Sequence, residues 1–63
     1  MWLCVKDFFM VEGDRAFTAG KVYPEIRRDV YEDYTDIVLV DDDNYEHPMV
    51  LEKDMGPFFQ EKP

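Results

Sequence analysis

The 63-residue chain contains no serine, one cysteine (Cys4) and one histidine (His47). Without serine, a hydroxyl nucleophile would have to be Thr18 or Thr35, and a thiol–imidazole pair would have to be Cys4 with His47. One cysteine cannot close a disulfide within the chain, so the sequence offers no disulfide scaffold and fits a reducing cytosol. One Cys and one His cannot complete a four-ligand zinc site. Gly13, Gly20 and Gly56 stand alone, so no glycine-rich loop is available to cradle a phosphate. No apolar run approaches the length of a membrane span, and Met1–Asp7 lacks the basic n-region and long apolar stretch of a signal peptide. The reading is a cytoplasmic, non-enzymatic protein with no cofactor, no metal and no membrane partner.

Positive charge is also scarce. Seven Lys and Arg face 15 Asp and Glu, for a net charge of -8. Nucleic-acid affinity comes largely from cations that displace counterions from phosphates, so direct nucleic-acid binding is not expected. An acidic surface instead favours solubility and a partner protein with a basic surface.

What is present is apolar and aromatic: 46% of residues are hydrophobic and 16% aromatic, enough for a thin core. A domain of this size buries only about 60% of the surface its unfolded chain exposes, so large rings matter. We therefore read residues 1–63 as a single domain with no repeat and no sustained helical period.

The pattern along the chain is that of short strands. Residues 2–7 form a first strand, and residues 8–20 a long loop or loose hairpin marked by Gly13 and Gly20, with Phe17 turned into the core. Lys21–Arg28 is a second strand with Val22 and Ile26 on one face, interrupted by Pro24, which cannot donate to a ladder. Asp29–Tyr34 is a polar connection. Thr35–Val40, with Ile37-Val38-Leu39-Val40, is a central strand buried on both faces. Asp41–Asn44 is a tight turn. Tyr45–Glu52 is a fourth strand whose Pro48 requires an edge or a bulge. Lys53–Pro57 is a one-turn connector and Phe58–Gln60 a last strand. This order predicts an all-β fold, a small five-stranded, SH3-like, partly open barrel.

The segment Phe17-Thr18-Ala19-Gly20-Lys21-Val22-Tyr23 resembles a stretch in small, mostly uncharacterised bacteriophage and prophage proteins. Lys6-Asp7 before it, the acidic turn Asp41–Asn44, the strand beginning Tyr45-Glu46-His47 and the closing pair Phe58-Phe59 extend the likeness over most of the chain. The resemblance implies an SH3-like β-barrel of phage origin and no common activity. It also implies the class of small phage proteins that bind and disable a host protein in the host cytoplasm. The Ala-Leu-Tyr-Asp-Tyr strand of peptide-binding SH3 domains is absent.

Cys4, beside Val5 in a strand, reads as a small core residue and His47 as a satisfied, half-buried one. The run Asp41–Glu46 has Glu46 where a calcium loop of the EF-hand type needs glycine, so it reads as a turn. In an SH3-like arrangement the first and second loops share one end of the barrel. That would gather Glu12 and Asp14 with Asp29, Tyr31, Glu32, Asp33 and Tyr34 into one partner-binding patch, tyrosine anchors within an acidic field. The leading expectation is a protein–protein inhibitor or adaptor. One alternative is a DNA mimic using Asp29, Glu32, Asp33 and Asp36 with Asp41–Asp43; another is a structural, self-assembling protein that forms a homodimer.

Overall fold

The computed structural model describes residues 1–63 and is all-β. Eight short strands form three small sheets, with no closed barrel. Strands β1 (Trp2–Cys4), β4 (Val22–Tyr23) and β8 (Phe59–Glu61) make one sheet in the order β4-β1-β8. Strands β5 (Glu25–Val30), β6 (Thr35–Val40) and β7 (Glu46–Val50) make a second, in chain order. Between them β2 (Phe8–Phe9) and β3 (Arg15–Phe17) pair as a separate hairpin. All pairings are antiparallel.

Eight strands replace the five expected because Pro24 and the loop of residues 8–20 each divide what the sequence joins. Pro24 has no N–H to give, so the ladder breaks there. The chain before it pairs with β1 and the chain after it with β6, so one bent segment serves both large sheets.

Val22 and Ile26 do not face the core as expected; both are about half exposed, and Tyr23 is the inward residue. The register explains Ile26. Glu25 pairs with Leu39 and Arg27 with Val38, so Ile26 is the extra residue of a bulge and turns out to solvent. The polar connection is also shorter than expected, since Asp29 and Val30 still pair with Asp36 and Thr35.

The central strand behaves as its composition dictates: Ile37, Val38 and Leu39 are all buried. Pro48 pairs with Val38 on β7, an edge strand whose other side needs no donor. A π-helical turn (Leu51–Met55) then runs into a single α-helical turn (Gly56–Phe58). The Asp54 carboxylate accepts from the Val50 N–H at 3.1 Å, and Met55 drops into the core beneath.

Phe17, with no exposed surface, is the hub of that core. Its ring meets Tyr23, Phe59 and His47 edge to face at centroid distances of 4.9, 5.2 and 5.3 Å, and Phe8 at 6.0 Å. Such pairs add about 0.5–1.5 kcal/mol each beyond the area they bury. Trp2 satisfies its indole N–H on Glu25 Oε1 at 3.0 Å, so burying the ring leaves no polar orphan. No helix is long and apolar enough to cross a membrane.

Candidate functional site

Three polar or exposed regions hold side chains that could do chemistry or bind. The first is the turn after β6. Asp42 Oδ1 accepts from the Tyr23 hydroxyl at 2.6 Å and from Lys21 Nζ at 3.1 Å, and Oδ2 accepts from the Thr18 hydroxyl at 2.6 Å. Its backbone N–H donates to the Ala16 carbonyl at 2.8 Å. That carbonyl is free because β3 is bulged there, Phe8 facing Phe17 and Phe9 facing Arg15.

Burial alone would raise the Asp42 pKa, but the three donors outweigh it and hold the carboxyl below its ordinary value. Burial and the same carboxylate push Tyr23 up to about 12. Asp41, buried, accepts from the Asp43 and Tyr45 backbone N–H groups at 3.0 Å each. Its second oxygen lies 3.4 Å from His47 Nδ1. Asn44 closes the turn at φ 69°, a conformation Asn tolerates. These carboxylates are consumed by the fold.

Cys4 and His47 take the places expected of them. Cys4 is fully buried, and its thiol donates to the Lys6 carbonyl at 3.1 Å. Burial pushes its pKa up, away from the reactive thiolate. His47 sits between Asp41 and the Phe8 and Phe17 rings rather than beside Cys4.

The second region is the β5–β6 turn. The Tyr31 N–H donates to the Tyr34 carbonyl at 2.8 Å, and the two rings stack at 4.8 Å with 29° between planes. Both remain exposed, Tyr31 at 50% and Tyr34 at 41%. Glu32 and Asp33 project from the turn with no cation paired to either, while Asp29 pairs with Arg27 Nε at 3.2 Å. Glu52 fastens the base by accepting from the Thr35 N–H at 3.0 Å.

The third region is the β2–β3 tip. The Met10 N–H donates to the Asp14 carbonyl at 2.8 Å and the Gly13 N–H to the Met10 carbonyl at 2.9 Å. Gly13 adopts φ +98°, which favours glycine there. Phe8 packs inward, but Phe9 is 57% exposed, Met10 is exposed and Val11 has no cover at all. With Glu12 and His47 these residues line an open cleft of about 320 Å³.

The seven residues expected to share one patch form two groups. Asp29, Tyr31, Glu32, Asp33 and Tyr34 stand together on the β5–β6 turn. Glu12 and Asp14 belong to the β2–β3 tip, and no hydrogen bond or ion pair joins the groups. Glu12 reaches the cleft over His47, whose β6 partner is Leu39. The β5–β6 turn enters β6 at Thr35, four residues away, or about 13 Å of strand.

The sequence reading missed Met10 and Val11 as exposed residues lining this cleft. The available signal was Phe8-Phe9-Met10-Val11, four consecutive apolar residues inside a segment read as a loop. Comparison with protein-family models, curated proteins and solved structures finds no match to this chain.

Proposed function

We propose that this protein is a non-enzymatic interaction module that binds a basic protein surface through its β5–β6 turn. The observation that carries the reading is the stacked, half-exposed Tyr31–Tyr34 pair flanked by Glu32 and Asp33, which have no cation of their own. Two aromatic rings already held by each other and by a backbone hydrogen bond lose little freedom on binding. Their faces can receive a guanidinium or ammonium group, and the adjacent carboxylates steer it there. The resemblance to small phage proteins extends this to a phage-encoded protein that inhibits or redirects a host protein in the host cytoplasm.

Affinity capture from nuclease-treated bacterial lysate at low and high salt tests the proposal. One stoichiometric protein held at both salts, and lost with Tyr31→Ala plus Tyr34→Ala while the circular dichroism spectrum is unchanged, is the expected result. Capture that survives the double substitution sinks the turn as the contact surface.

DNA mimicry is the second reading, supported by the unpaired Glu32 and Asp33. Its row is shorter than the sequence suggests, because Asp41 and Asp42 face inward to protein donors. It requires a complex that high salt dissolves and DNA competes away.

A further inference from the structure

We infer that the cleft between the β2–β3 tip and His47 is a second docking site, one that takes a protein segment carrying an apolar side chain flanked by lysine or arginine. In a chain with a thin core, Phe9, Met10 and Val11 are apolar residues held out of it. Exposed apolar groups set together on a rigid element, rimmed by polar ones, mark an interaction surface.

The element is anchored at its base and hydrogen-bonded at its tip. Phe8 anchors it against Phe17, His47 and Phe58, the last at 4.8 Å. Asp7 ties its base by accepting from the Ala19 N–H at 2.7 Å and by facing Arg15 at 3.8 Å. The tip itself is closed by the two Met10 backbone bonds. The cleft is therefore preformed, which lowers the ordering cost of binding.

Its size and lining suit a side chain. A volume near 320 Å³ is roughly that of ten liquid waters. Met10 supplies an adaptable wall. The floor offers one polar handle. His47 Nδ1 lies 3.4 Å from an Asp41 carboxylate oxygen, on the side of the ring turned into the protein. Nε2 has no protein partner and is not sealed from solvent, so it is free to hydrogen-bond a backbone group of the incoming segment.

Charge selects the occupant. Glu12 on the cleft and Asp14 beside it have no cation partner, and the whole chain carries -8. A second copy would press Glu12 and Asp14 against acidic surface, and an anionic membrane would be repelled as well. A basic segment with an apolar residue satisfies both the lining and the rim.

Selection of a random peptide-display library against the intact protein, followed by amide chemical-shift mapping with the best synthetic peptide, tests this. Expected are sequences pairing an apolar residue with Lys or Arg within two positions, and shifts confined to Phe8–Glu12 and His47. Val11→Asp should weaken the peptide at least tenfold without changing the fold, because Val11 has no packing to lose. That substitution adds negative charge, so an attraction that is only electrostatic would strengthen instead, and would overturn the proposal. Peptides without a basic residue, shifts at Tyr31–Tyr34, or no enrichment would also overturn it. So would binding to neutral phosphatidylcholine vesicles that Val11→Asp abolishes, which would make the tip a lipid-inserting one. The Tyr31→Ala, Tyr34→Ala variant should bind the peptide unchanged, so failure of the turn and failure of the cleft are separable.

Discussion

The chain has two acidic turns of similar composition and opposite use. Asp41-Asp42-Asp43-Asn44 points two of its carboxylates into the protein, where hydroxyls, backbone N–H groups and a lysine engage them. Tyr31-Glu32-Asp33-Tyr34 turns its carboxylates out, with no cation paired to them and two stacked rings beside them. Composition alone does not separate the two. What separates them is whether donors lie within reach: Tyr23, Thr18 and Lys21 all arrive at Asp42 from the segment that follows β3. A carboxylate surrounded by donors is a structural strut, and one left bare is available to a partner.

The largest test of that contrast is Asp42→Ala. It leaves the Tyr23 O–H without its acceptor and removes the bonds from Thr18 and Lys21, so it should cost about 2–4 kcal/mol. A domain of this length has roughly 3–9 kcal/mol in total, so the urea midpoint should fall by a large fraction. A midpoint moved only slightly would mean the network is ornamental. Tyr23→Phe comes next, at about 1–2 kcal/mol, because it leaves the Thr18 N–H without its 2.9 Å acceptor.

The same network predicts both limbs of a pH profile. Asp42 is held low, so its contribution is complete above its unfolded value of 3.8 and is lost as pH falls through the lower folded value. Tyr23 is raised from 10.0 to about 12, so its contribution is complete below 10 and is lost between 10 and about 12. Thermal melts across pH should show both losses, and Tyr23→Phe should remove the Tyr23 share of the alkaline one.

Much of the fold was legible because the strongest signals were local. Ile37-Val38-Leu39-Val40 could only be a buried strand, Asp41–Asn44 only a turn, and Pro24 and Pro48 only breaks or edges. Phe17 was legible as core for the same reason. The site was less legible because it depends on register and on distance. A one-residue bulge put Ile26 outside, and another at Ala16 freed a carbonyl for Asp42. Neither leaves a mark in composition. Grouping Glu12 and Asp14 with Tyr31 and Tyr34 required knowing how far the β2–β3 hairpin leans over His47, which is set by Phe8 packing on Phe17 and Phe58. The exposed run Phe9-Met10-Val11 was visible as letters but not as surface, since four apolar residues in a row fit a buried strand equally well.

Two smaller effects sharpen the contrast at its quiet end. Asn44→Ala forces a Cβ residue without a helpful polar side chain to φ 69°, at about 1 kcal/mol, whereas Asn44→Gly should be nearly neutral. On the other turn, Glu32→Gln with Asp33→Asn removes two bare charges and no bond. Chemical denaturation should find that variant within about 0.5 kcal/mol of the parent, because surface changes away from packed features rarely exceed that. If the turn is the contact surface, the same variant should associate more slowly with its basic partner and lose much of the salt dependence of the on-rate, while dissociation stays close to that of the parent. A stability loss comparable to that of Asp42→Ala would instead place Glu32 and Asp33 among the struts, and the difference between the two turns would then lie in exposure alone.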